Sequence, residues 1–245
     1  MAETGETVRI SMWSGPRNIS TAMMRAFAQR PGARVVDEPF YAYYLTETGL
    51  PHPMHREIIA SQPTDWRVAL ADLNAPRAAR ELYIKHMTHH ILDEVDIAAF
   101  RTHRNCFLIR DPRRVIASYA QKWERITTAD IGIRRQVEIF AALSEITGIA
   151  PLVIEAEDIL KNPAAALEKL CAALGIAWHP EMLAWPKGRH PDDGVWAPHW
   201  YAAVEASTGF APYTEPAINL TSELEDLAAL QQADYDLLRA HKITV

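Results

Sequence analysis

Two short stretches of this 245-residue chain combine residue types and spacings that could handle an anion. The first is the octapeptide Ser14-Gly15-Pro16-Arg17-Asn18-Ile19-Ser20-Thr21, a turn cluster carrying one guanidinium and two adjacent hydroxyls. Placed between a strand and a helix N-terminus, such a loop can wrap a phosphate in backbone N–H groups, assisted by the helix dipole. It lacks the GxxxxGK[ST] ending of a Walker A loop, so the magnesium-linked Lys-Ser/Thr pair of ATP and GTP hydrolases is absent. A capped turn without a ligand is the plain alternative. The second stretch runs from Phe107 to Tyr119, where Arg110 leaves a strand end. Ser118 lies two helical turns beyond Asp111 and shares its helix face. Arg110 and Ser118 could then converge on one anion, unless Arg110 pairs with Asp111 or another carboxylate and Ser118 only packs. His86, His89 and His90 have metal-ligand spacing on a helix, but His86 falls on a strand candidate and no metal is expected.

These groups need elements to hold them. Val8–Met12, Ala33–Val36, Leu82–Met87, Asn105–Ile109 and Pro151–Ile154 read as five short apolar strands. Between them lie segments of helical period: Ser20–Arg30, a helix from Asp111 through Trp123 with Asp as N-cap and Pro at its first position, about Asp130–Thr147, and Ala164–Leu174. A last helix spans about Ser222–His241. Residues 40–77 read as helical pieces and loops over one end of the sheet, and Trp185–Pro216 as loop. Strands alternating with helices imply βαβ units around a parallel sheet, hence an α/β fold of about five strands forming a single domain over residues 1–245. Ligands of such sheets bind at the carboxyl ends of the strands, where both stretches fall.

A net charge of −6 argues against a general nucleic-acid binder, yet Arg101, Arg104, Arg110, Arg113 and Arg114 cluster, which suits a small anionic ligand. No apolar run approaches the roughly 18–20 residues that span a bilayer. The polar start and two isolated cysteines inside apolar segments lead us to expect a cytoplasmic protein without a membrane partner.

With these motifs in order, the sequence resembles the P-loop sulfotransferases, which use 3′-phosphoadenosine 5′-phosphosulfate (PAPS). Pro16-Arg17-Asn18-Ile19-Ser20-Thr21 is similar to the family's P-[KR]-S-G-[ST]-[ST] loop for the 5′-phosphosulfate. Arg110 and Ser118 match the Arg and Ser, eight positions apart, that hold the 3′-phosphate. Ala156-Glu157-Asp158-Ile159…Pro163 echoes the Y-E-D-L…P signature, and Lys187-Gly188…Gly194-Val195-Trp196 resembles the late segment that covers the cofactor, which brings in Arg189 as well. The resemblance implies a three-layer, P-loop nucleoside-kinase-like fold. It departs from the pattern at Ile19, which stands where the family has Gly. A β-branched residue disfavours positive φ, so the loop is expected to turn differently or its helix to start earlier.

The resemblance also implies the chemistry. Sulfuryl transfer needs an acceptor hydroxyl or amine, a base for its proton, and a cation near the leaving phosphate; Lys or Arg can serve without a metal. Arg17 is the expected cation, with Lys85 or Lys187 as helper. Two bases are open. Glu38 is similar to the E-P glutamate of some bacterial and carbohydrate sulfotransferases, and His86, in Ile84-Lys85-His86-Met87, to the K-T-H histidine of the cytosolic branch. Histidine has the better ordinary pKa, whereas Glu38 needs burial to raise its own. Position favours Glu38, which otherwise would form an ion pair with Arg17 or Arg34. The expected partner is a small-molecule acceptor, with a homodimer left open. A P-loop kinase-like phosphotransferase and a non-catalytic adenine-nucleotide-binding protein are the alternatives.

Overall fold

The computed structural model describes residues 7–121, 126–215 and 218–245. The chain opens with β1 (Val8–Ser14), α1 (Ser20–Ala28) and β2 (Ala33–Asp37). Residues 40–77 resolve into α2 (Tyr41–Thr48), α3 (His55–Ser61) and α4 (Trp66–Asn74). Then come β3 (Glu81–Met87), β4 (Arg104–Ile109), α5 (Pro112–Tyr119), α6 (Thr128–Ile131) and α7 (Ile133–Thr147). They are followed by β5 (Leu152–Glu155), α8 (Ala156–Lys161) and α9 (Pro163–Ala173). The stretch expected as loop holds two short helices, α10 (Ala197–Trp200) and α11 (Ala202–Glu205), and α12 (Ser222–Arg239) closes the fold. Among the described residues no helix is long and apolar enough to cross a membrane.

The five strands form one all-parallel sheet in the order β2-β3-β1-β4-β5. Leu82, Tyr83 and Ile84 of β3 have no exposed surface, as expected where helices cover both faces. Alternate residues feed two cores. Met12, Tyr83 and Ile154 pack with α1, α8 and α9 on one face; Trp13, Ile84 and Phe107 pack with α4, α5, α7 and α12 on the other. Burying one such side chain fully contributes roughly 1.5–3 kcal/mol. The expected three-layer α/β fold is therefore present. Ser14 is level with both Met87 and Leu108, so β1, β3 and β4 end together. The strand order reverses direction at β1, which opens a crevice above these ends.

Two helices differ from expectation. The helix from Asp111 stops at Tyr119, and the expected end at Trp123 lies outside the described residues. The helix expected from about Asp130 is broken at Gly132, whose φ of 72° separates α6 from α7. The cause is tertiary. A Cβ on Gly15 would come within 2.5 Å of the Ile131 carbonyl, and one on Gly132 within 3.1 Å of Thr88 Oγ1, so two glycines let the α6–α7 corner rest on the first loop. Thr88 Oγ1 lies within hydrogen-bonding reach of the Ser14 and Gly132 carbonyls, at 3.2 and 3.1 Å, and ties the corner to β1.

Candidate active site

The loop after β1 is shaped without a glycine at its tip. Arg17 and Ile19 both take left-handed backbone, at φ 57° and 48°, and Ile19 is the N-cap residue of α1. The expectation that Ile19 would avoid this region is corrected: α1 starts directly after it, at Ser20, and the β-branched residue carries the strain. Left-handed backbone costs an L-residue roughly 1–2 kcal/mol, so the surroundings must hold it. Asn18 Nδ2 donates to the Leu108 carbonyl at 2.5 Å, pinning the loop to the end of β4. Gln136 Nε2, from α7, donates to the carbonyls of Trp13 (3.1 Å) and Leu108 (3.0 Å), joining the ends of β1 and β4 from below.

Arg110 and Ser118 meet the loop from the other side. Arg17 Nε donates to Ser118 Oγ at 2.9 Å, and Arg110 Nη1 donates to the Arg17 carbonyl at 2.6 Å. Asp111 does not pair with Arg110. It caps α5 instead, accepting from the backbone of Arg113 (2.8 Å) and Arg114 (3.3 Å). Arg114 forms an ion pair with Glu157 and donates to the Tyr213 hydroxyl at 3.0 Å. Among the described residues Arg110 has no salt bridge, and its Nε is buried without a partner. Burial and then Arg114 work against its charge, lowering its pKa from the ordinary arginine value. Two guanidiniums with one hydroxyl, at the mouth of a helix N-terminus, make a site suited to an anion.

The same crevice holds Glu38, which follows β2 at φ 44° with its amide donating to the Lys85 carbonyl at 2.9 Å. Its carboxylate pairs with neither Arg17 nor Arg34; Arg34 pairs with Asp192. Lys85 Nζ instead donates to Glu38 Oε1 (2.6 Å), Asp37 Oδ1 (2.9 Å) and the Tyr201 hydroxyl (2.6 Å). Tyr201 in turn donates to Asp37 Oδ2 at 2.7 Å and accepts from Trp196 Nε1 at 3.0 Å. Burial raises the Glu38 pKa above the ordinary carboxylate value, Lys85 pulls it back, and Asp37 adds to the rise. Lys85 is held charged, since Asp37 and Glu38 outweigh its burial. The second Glu38 oxygen, Oε2, lies 3.7 Å from His90 Nδ1. Burial, followed by His89, depresses the His90 pKa well below the usual imidazole range, so that ring is neutral.

Together these residues line a cleft of about 500 Å³. Pro16, Arg17, Asn18, Ile19, Ser20, Thr21, Arg110 and Ser118 border it at the β1–β4 end, and Glu38, Lys85, Met87, His89 and His90 at the β2–β3 end. Gly15 lies beneath the loop against Ile131 rather than in the lining. Three sequence-based expectations do not fit the geometry. His86 is on the opposite face of the sheet, because it alternates with Lys85 along β3. It stacks on Trp13 at 4.1 Å beside Phe40 and Phe100, out of reach of the cleft. Lys85 reaches the cleft, but its three bonds to Asp37, Glu38 and Tyr201 leave it no donor for a leaving group. Lys187, Gly188 and Arg189 lie outside the lining, which is completed by residues from Trp200 to Thr214. Asp37 and Tyr201 were missed. Asp37 stood beside Glu38 in the sequence and was a readable signal, whereas Tyr201 sits in an aperiodic aromatic stretch and had none.

A family model described as a sulfotransferase domain matches residues 8–241. Two Arabidopsis thaliana proteins, branched-chain-amino-acid aminotransferase-like proteins 1 and 2, are each 32% identical, over 233 and 238 residues and 95% of this chain. The chain spans 42% and 41% of their lengths, about two fifths. The sulfotransferase domain of the Synechococcus PCC 7002 olefin synthase superposes with a TM-score of 0.54 at 18% identity, covering 95% of this chain and 97% of that one. The sulfotransferase from Alicyclobacillus acidocaldarius gives 0.56 at 14%, covering 98% of each chain. The sulfotransferase domain from the curacin biosynthetic pathway gives 0.52 at 14%, covering 92% and 98%. At such identities these structures speak for the fold, and the family match carries the assignment from β1 into the residues after α12: the chain belongs to the sulfotransferase domain family.

Proposed function

We propose that this cleft takes PAPS as donor and delivers a sulfuryl group to a hydroxyl or amine of a small acceptor, with Glu38 as general base. The observation that supports the donor is the convergence of Arg17, Arg110 and Ser118, with Arg110 half-buried and free of any carboxylate partner among the described residues. The chemistry of that set fits two phosphate groups on one nucleotide: the loop 16–21 for one and Arg110 with Ser118 for the other. PAPS supplies a sulfuryl group attached to a good leaving phosphate. Arg17 then sets positive charge where negative charge would grow, at the mouth of α1. Glu38 takes the acceptor proton. Burial makes it a stronger base than an exposed carboxylate, and Lys85 holds Oε1 so that Oε2 faces the cleft. The phosphotransferase alternative lacks the Walker lysine and finds no support in the cleft.

Thermal unfolding in the presence of adenosine 3′,5′-bisphosphate tests this reading. At about 100 times its Kd a ligand adds roughly 2.7 kcal/mol, which for a chain of this size raises Tm by roughly 5–10 °C. ATP should do far less, and Arg110→Met should abolish the effect. No response to the bisphosphate at high concentration sinks the proposal.

A further inference from the structure

The cleft is chemically uneven along the sheet edge. Its guanidiniums without a carboxylate partner among the described residues, Arg17 and Arg110, lie at the β1–β4 end. At the β2–β3 end the cation in the lining is Lys85, and two carboxylates and a phenol already hold it. Four rings, those of Tyr41, His52, His89 and His90, stand in the lining with it. His90 is sandwiched between Tyr41, at 4.3 Å and 16° between planes, and Tyr44, at 4.8 Å and 28°. His89 meets His90 edge-on at 4.4 Å, and the Tyr41 hydroxyl lies 2.8 Å from His52 Nδ1. The His89 and His90 imidazoles are uncharged near neutrality, because burial pushes the His89 pKa down to about 4 and depresses that of His90 well below the usual imidazole range. Val204 and Phe210 add apolar surface to the same lining.

Such a wall stabilises flat or cyclic apolar bodies and offers an anion no counter-charge. An ammonium group would meet Glu38, but only in the protonated form that cannot accept a sulfuryl group. A polyhydroxylated ring would leave hydroxyls unpaired against this mainly apolar lining, at a cost for each. The cleft's volume of about 500 Å³ lies within the range of roughly 300–1,000 Å³ that takes one drug-sized ligand, so a bound nucleotide leaves room only for a compact second molecule. We propose that the acceptor is a small, uncharged alcohol or phenol with an apolar body, seated against Tyr41, His90, Val204 and Phe210 with its hydroxyl at Glu38 Oε2. This rests on the donor reading above and narrows its other half.

Ring-matched probes test it by isothermal titration, with and without saturating adenosine 3′,5′-bisphosphate: cyclohexanol, hydroxycyclohexane carboxylate, aminocyclohexanol and inositol. Cyclohexanol should bind at least about tenfold more tightly than each of the others, a difference of about 1.4 kcal/mol. His90→Ala should weaken cyclohexanol about tenfold, and His90→Phe, which restores a ring, should recover most of that loss. Bisphosphate affinity should be unchanged in both variants, which shows that the fold is intact. A charged or polyhydroxylated probe binding as tightly as cyclohexanol overturns the proposal, and so does an absence of binding by all four in both nucleotide states. Cyclohexanol binding without any bisphosphate binding would overturn the donor reading and leave the acceptor assignment standing.

Discussion

Replacing His103 by glutamine should remove about 2 kcal/mol from the acid sensitivity of the fold. His103 lies under the sheet in a hydrogen-bonded chain with one consistent polarity. Asn74 Nδ2 donates to the Leu70 carbonyl at 3.1 Å, which turns Asn74 Oδ1 toward His103 Nε2 at 3.0 Å. That nitrogen therefore carries the proton, and His103 Nδ1 accepts from Ser11 Oγ at 2.8 Å. Ser11 Oγ in turn accepts from His86 Nε2 at 3.2 Å. A proton on His103 Nδ1 would face the serine hydrogen, and reversing the serine would drive that hydrogen against His86. Burial, with Arg9 adding repulsion, lowers the His103 pKa to about 4. The unfolded chain, titrating near 6.5, takes up its proton first as pH falls. Stability is thus complete above about pH 6.5 and lost progressively down toward pH 4; between pH 7.5 and 5.0 the loss integrates to about 2 kcal/mol for this one residue. Urea unfolding at the two pH values measures it. With a urea m-value of about 2–3 kcal/mol per molar, the difference in midpoint between the two pH values should be smaller in His103→Gln by roughly 0.7–1 M. Carboxylate contributions cancel in that comparison. Equal pH dependence in variant and parent would refute the chain's polarity and with it the buried, neutral state of His103.

Two further outcomes follow from the site and a third from a buried ion pair on α1. Glu38→Gln should lower kcat by roughly a hundredfold or more while leaving stabilisation by adenosine bisphosphate intact; a variant as active as the parent rules out Glu38 as base. Ile19→Gly relieves roughly 1–2 kcal/mol of left-handed strain while losing part of a half-buried side chain. Urea unfolding should therefore place it within about 1 kcal/mol of the parent, and a loss above about 3 kcal/mol would show that the strain is absent. Asp193→Asn leaves the buried Arg25 guanidinium, which the Asp193 oxygens hold at 2.5 and 2.6 Å, without its counter-charge. A destabilisation of about 3 kcal/mol is expected in the same assay, and one below about 1 kcal/mol contradicts the pair's burial.

What the sequence made legible is what local rules decide. Asp111-Pro112 announced the start of α5 because N-capping and a fixed proline φ act within one turn. The strands β1 and β3–β5 showed as short apolar runs because both of their faces are covered. The Arg110–Ser118 spacing survived because strand end and helix fix it together. The rest depends on contacts far along the chain. Strand alternation already required Lys85 and His86 to face opposite ways, but only the packing of α1 and α8 on one face decides which of them meets the cleft. The break at Gly132 answers to Gly15 and Thr88, neither of which is near it in sequence. The segment at Lys187–Arg189 carried a weak pattern match, while the residues lining the cleft from Trp200 onward had no period to mark them.

The left-handed backbone of Arg17 and Ile19 bears on how such loops are recognised in sequences. A glycine at the loop tip makes its shape a property of the residue itself. Here the shape is imposed from outside by the Leu108 carbonyl, Ser118 and Arg110, which lie 90, 101 and 93 positions from the loop residues they bind. A search for the loop by its glycine passes over this version of it, and the signature to look for is instead the set of distant partners that bend an ordinary side chain into place.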